Sequence, residues 1–172
     1  MELKDIALHS FKDAQSALTQ ALDGLSDQDI MWQPRPGANH IAFILWHMTR
    51  VEDSFVQSFF QRTPQVWETG KWHEKLNLPS DPRAVGFGYT AEQVDSFPHV
   101  RLRDLVDYQS AVGAKTAVYL ESATAATFDQ PVQSRIFGQT TTGALIAHLV
   151  VELSEHVGQI GYLKGLINSA SV

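Results

Sequence analysis

The sequence predicts an all-α protein, a four-helix bundle with a long crossover between helices 2 and 3. Three observations carry that expectation. Four segments place apolar residues at three- and four-residue steps, as amphipathic helices do. No stretch alternates in the strand manner for long enough to build a sheet. One internal segment, rich in proline and aromatic residues, is too long to be a simple turn. The chain has 172 residues, 44% of them hydrophobic and 19% charged, so it can bury a sizeable core and is expected to form a single domain over 1–172.

In the first segment Leu3, Ile6, Ala7, Ala14, Leu18, Ala21 and Leu25 form the stripe, with Lys4, Lys12 and Asp13 between them. Asp27 to Gly37, holding Pro34, Pro36 and Gly37, is a turn region that stops this helix. Asn39 is a good N-cap for the second helix, which runs to about Arg62, before Pro64. The third covers about Arg101 to Ser122, with Leu105, Tyr108, Val112, Tyr119 and Ala123 on one side. The fourth starts near Thr141 or Thr142 and continues to about Asn168.

The crossover, Thr63 to Val100, contains Pro64, Pro79, Pro82 and Pro98 together with Trp67, Trp72, Phe87, Tyr89 and Phe97. Its aromatics argue against disorder, so it is expected to pack over one end of the bundle. Thr90-Ala91-Glu92-Gln93 has the form of a capping box and predicts a short helix there. The remaining connections are short enough for helices packed as neighbours. Val132 to Phe137 is the best strand candidate and is read as loop.

Composition removes several function classes. The chain has no cysteine, which excludes disulfides, thiolate metal ligands and a cysteine nucleophile. A formal net charge of −6, with 13 scattered Lys and Arg residues, argues against nucleic acid as a partner. No apolar run approaches the ~20 residues that a membrane span needs. Met1-Glu2-Leu3-Lys4-Asp5 has no basic n-region, and a cytoplasmic location is expected.

The chemistry is expected in the fourth helix. At ~100° per residue, Glu152 and His156 fall inside the arc formed by Leu145, Leu149, Ile160, Leu163 and Ile167. Burying an unpaired carboxylate costs several kcal/mol, so Glu152 requires a partner or a metal. His47 holds the matching inward position on the second helix, among Phe43, Ile44, Val51, Ser54 and Phe55. The i, i+4 spacing lets Glu152 and His156 reach one ion, with His47 as a third ligand. Two other arrangements stay open at this point. In one, Glu152 pairs with an arginine such as Arg50; in the other, His148, at the same spacing on the other side of Glu152, is a rival ligand. His148 lies roughly 40° beyond Glu152, at the edge of the stripe, where a supporting role is expected. His40 is two turns, ~10 Å, from His47 and too far for the same ion. His9, His73 and His99 have no partner spacing.

Two stretches at these residues resemble the DinB superfamily of DinB/YfiT-like metalloenzymes. One is Trp32-x-Pro34-x-Pro36-Gly37-Ala38-Asn39-His40-Ile41 running into Ile44-Leu45-Trp46-His47-Met48-Thr49-Arg50-Val51-Glu52-Asp53. The other runs from His148 to Gly165 and includes Glu152-Leu153-Ser154-Glu155-His156-Val157-Gly158-Gln159-Ile160. Helix order and the long crossover also fit. The resemblance implies a four-helix bundle, commonly a homodimer, with a divalent metal held by His47, Glu152 and His156. Many relatives have histidine where this chain has Glu152. The glutamate form is similar to the branch containing mycothiol-dependent maleylpyruvate isomerase, and other relatives are thiol S-transferases.

Two imidazoles and a carboxylate leave coordination positions open, the pattern of catalytic zinc, and the same set serves nickel or iron. A transferase or isomerase using a low-molecular-weight thiol and a small-molecule substrate is the expected activity. The competing expectations are a metal-dependent hydrolase and a non-catalytic metal-binding dimer. Glu155 and Tyr162 are candidate proton carriers, and Trp67, Trp72 and Tyr89 either wall the pocket or simply pack.

Overall fold

In the computed structural model, which describes residues 2–134 and 137–170, four long helical segments pack as a bundle. Helix α1 spans Leu3–Leu22 and buries Ala7, Phe11, Ala14, Leu18 and Leu22. Its buried stripe is therefore carried by Phe11, while Leu3 and Ile6, expected inside, are about half exposed. A 3-10 turn at Asp29–Met31 leads to α2, Ile41–Asp53. Every residue of α2 is buried, so this is the central helix, enclosed on all sides.

The cap of α2 differs from the expectation. His40, in extended conformation, accepts the Phe43 N–H on its Nδ1 at 3.1 Å, so an imidazole takes the capping role expected of Asn39. Beyond Asp53 the helix widens into a π-helix, Ser54–Gln61, and stops where Arg62 turns left-handed at φ 56°. The Arg62 N–H and the Thr63 N–H both return to the Gln57 carbonyl before Pro64.

The crossover carries three short helices: α3 (Val66–Thr69), α4 (Trp72–Lys75) and α5 (Ala91–Asp95). The last is closed by the expected box, in which Thr90 accepts from the Gln93 N–H and Gln93 from the Thr90 N–H. Asp53 anchors the start of the crossover. Its carboxylate accepts the N–H groups of Val66 and Trp67 at 2.9 and 2.8 Å and the Tyr108 hydroxyl at 2.8 Å.

Helix α6 (Leu102–Ser122) packs on α2 through Leu105, Tyr108, Val112, Thr116 and Leu120. The connection that follows is more structured than a short loop. It holds α7 (Ala125–Asp129) and an antiparallel hairpin, β1 (Pro131–Ser134) with β2 (Gly138–Thr141). The Val132–Phe137 stretch, read as loop, thus supplies one strand of a two-stranded ribbon; its Arg135 and Ile136 lie outside the described residues. The register pairs Val132 with Thr140 and Ser134 with Gly138, whose φ of +68° favours glycine. Helix α8 (Thr142–Ala170) lies along α1 and also contacts α2. Among the described residues no helix is long and apolar enough to cross a membrane.

Candidate metal centre

The middle of α8 lies beside α2, and its inward face carries Glu152 and His156 one turn apart. His47, midway along α2, meets them there. The ligand-capable atoms of His47, Glu152 and His156 all lie within 4.8 Å of one another. Glu152 Oε1 is 3.5 Å from His47 Nε2 and 3.3 Å from His156 Nε2. The two rings stand nearly perpendicular, with centroids 4.9 Å apart. Both imidazoles thus turn the same nitrogen toward one carboxylate oxygen.

The outer nitrogens explain that orientation. His47 Nδ1 is 2.5 Å from the Val85 carbonyl, and a carbonyl only accepts, so Nδ1 carries the proton. In the neutral ring this leaves the Nε2 lone pair facing the shared space. His156 Nδ1 faces the Gln159 side-chain oxygen at 3.0 Å, on the next turn of the same helix. An outer acceptor on each histidine is the arrangement that orients metal-ligating imidazoles, so the donor set fits a divalent ion.

The electrostatics agree. Burial alone would raise the Glu152 carboxyl, but the hydrogen bonds and positive charge that His156 and His47 offer it when protonated outweigh burial and bring it down to about 2. Burial would lower His156, yet Glu152 and Gln159 turn the net shift upward. In the metal-free protein His156 is therefore stabilised as an imidazolium donating to both neighbours, and an ion would have to displace its Nε2 proton.

The alternatives carried by the sequence separate cleanly. Arg50 does not meet Glu152; it is fully buried beside Asp53 and Gln65, with its guanidinium 4.4 Å from the Trp67 ring centroid. His148 is exposed and packs edge-on against Phe137, at a centroid distance of 4.5 Å. It is not part of the three-residue cluster, and no second cluster of this kind occurs among the described residues. Trp67 and Trp72 pack against Tyr108, which makes them core residues. Tyr89 packs on Phe43 and Trp46, beside the helix that carries His47. Glu155 and Tyr162 are exposed and border an open groove with Gln159 and Ile44.

Reading side chains one at a time missed three contributors. The Val85 contact is a main-chain carbonyl, which has no residue-type signature. Gln159 follows His156 by three residues, a spacing that places both on one face and offered the only local signal. Gly86 is a third. At φ +87°, a Cβ on it would lie 2.7 Å from the Trp46 ring and 3.3 Å from His47 Nδ1.

Residues 10–160 match the family model of the DinB superfamily. A solved structure, described as a conserved protein of locus from Enterococcus faecalis, superposes with a TM-score of 0.87. The two are 18% identical, over 98% of this chain and 99% of the other, a likeness that shows the shared fold. No curated protein matches the sequence.

Proposed function

The chain belongs to the DinB superfamily, and from that premise we propose that it is a metal-dependent enzyme holding one divalent cation on His47, Glu152 and His156. The observation that carries the reading is the convergence of three ligand atoms within 4.8 Å while both outer imidazole nitrogens are already engaged. Zinc suits this donor set best, and nickel or ferrous iron is compatible with it. Bound there, such an ion would supply a Lewis acid with open positions that lowers the pKa of a coordinated thiol or water.

The chain's own residues supply the geometry. Helix α8 presents a carboxylate and an imidazole on successive turns, and Glu152 stays ionised and contributes a full negative charge. Val85 and Gln159 hold the outer N–H groups and keep the two rings from turning. Phe43 lies parallel to the His47 ring, with 6.1 Å between centroids.

The reaction in this reading is a transfer or isomerisation in which a low-molecular-weight thiol attacks a small electrophilic substrate. The chain has no cysteine, so the sulfur must belong to a small molecule. A carboxylate ligand in place of a third histidine favours the branch similar to mycothiol-dependent maleylpyruvate isomerase. The cytoplasm, where such thiols are kept reduced, is the matching compartment. Exposed Leu3 and Ile6 on α1 and Val151 on α8 offer apolar surface for a homodimer.

Elemental analysis of protein purified without a metal-affinity tag tests the site. About one divalent ion per chain is expected, and His47→Ala or His156→Ala should each abolish it. Metal-loaded protein is then assayed with thiol plus electrophile and with ester and amide panels. Turnover that needs no thiol would replace the transferase reading with hydrolysis, and intact stoichiometry in either variant would move the site elsewhere.

A further inference from the structure

His47 is aimed by a carbonyl that lies 38 positions away in the chain, and something must hold that carbonyl in place. Arg50, on the next turn of α2, is placed to do so. Its Nη2 donates to the Pro82 carbonyl at 2.8 Å and its Nε to the Ala84 carbonyl at 3.4 Å. Val85 is the next residue. Gln65, itself bonded to Arg50 at 2.6 Å, donates to the same Pro82 oxygen at 3.1 Å. One helix therefore carries both the metal-ligand candidate and the cation that anchors the strap lying over it.

Gly86 completes the approach. Its missing side chain is what allows the strap to sit against Trp46, Phe43 and His47, and its left-handed φ turns the chain away immediately afterwards, with the Tyr89 N–H returning to the Gly86 carbonyl at 3.3 Å. Gly88 provides an internal contrast. Its φ is also left-handed, at +73°, but nothing lies within 4 Å of where its Cβ would stand.

We infer that Arg50 and Gly86 are positioning residues of the metal centre. Arg50 fixes the Pro82–Ala84 carbonyls and Gly86 lets the strap close, so that Val85 sets the tautomer and the aim of His47. The inference rests on the ligand set proposed above. A merely structural role for these residues would lower stability without acting on His47 in particular.

The glycine pair separates the two possibilities, because alanine at either site meets the same backbone strain and only alanine at 86 meets His47 and Trp46. Full-length protein is titrated with Zn(II) against a chromophoric chelator, and the His47 ring is observed in long-range proton–nitrogen NMR spectra of the metal-free form. Gly86→Ala should weaken Zn(II) binding about 10- to 100-fold, the usual effect of losing an outer partner of a ligating histidine. It should also convert His47 from the Nδ1–H tautomer to a mixture. Gly88→Ala should leave affinity within about twofold and the tautomer unchanged, at a comparable loss in Tm. Arg50→Lys keeps the charge but cannot span two carbonyls and Gln65 together, and it should shift affinity and tautomer in the same direction as Gly86→Ala. This second variant decides the matter should Gly86→Ala fail to fold. Equal Zn(II) affinity in the two alanine variants, or an unchanged His47 tautomer in Gly86→Ala, overturns the inference. If the wild-type protein binds no divalent ion, the proposed function falls, and the tautomer comparison still tests the strap.

Discussion

Glu52 sits on α2 five residues beyond His47, 1% exposed, with the Thr116 hydroxyl donating to it at 2.6 Å across the α2–α6 contact. Burial, opposed by the Thr116 bond and reinforced by the neighbouring Asp53 charge, pushes its carboxyl from 4.5 up to about 7. The folded state thus holds this proton more tightly than the unfolded chain does. Well below pH 4.5 Glu52 is protonated in both states and adds no pH dependence to stability. Between 4.5 and about 7 the unfolded chain ionises first, so stability falls as pH rises, and above that window the loss is complete. A span of 4.5 to about 7, at about 1.4 kcal/mol per pH unit, amounts to about 3–4 kcal/mol. Glu52→Gln keeps an oxygen for the Thr116 hydroxyl and removes the titration. Urea unfolding of both proteins in the presence of a chelator, at steps from pH 5 to 8, should show the variant gaining on the wild type by most of that amount. A stability difference that stays flat across the range would refute the burial argument for Glu52.

Two further outcomes follow from particular contacts. Asp53→Ala removes three hydrogen bonds and leaves Arg50 buried without its carboxylate partner; unfolding free energy should drop by about 3–5 kcal/mol, and limited proteolysis should cut first in the crossover, whereas a loss below about 1 kcal/mol would mean that Arg50 is compensated elsewhere. His148→Ala should keep both metal stoichiometry and affinity, since His148 is exposed against Phe137; loss of the ion in atomic-absorption measurements would bring His148 into the ligand set.

The long helices and the inward phase of Glu152 and His156 were legible because both depend on a repeat of 3.6 residues, which neighbouring positions encode. The short helix after Thr90 was legible for the same reason, since a capping box closes within four residues. The capping role of His40 was not. Asn39 is the better cap by type, but His40 has the extended backbone and the buried side chain that reach the Phe43 N–H. The hairpin was missed because within β1 Val132 is the lone strand-former, and pairing with 138–141 supplies what that strand's own residues do not.

Sequence by itself determined the all-α class, the helix order and the three residues that point into the bundle between α2 and α8. Only the tertiary structure decided what surrounds them: that Arg50 turns to the crossover and leaves Glu152 to the histidines, that His148 stays outside, and that Val85 aims His47. The physical reason is the kind of group involved. A helical side chain's direction follows from its immediate neighbours, whereas a backbone carbonyl is the same in every residue, and its position depends on the whole path of the chain that delivers it.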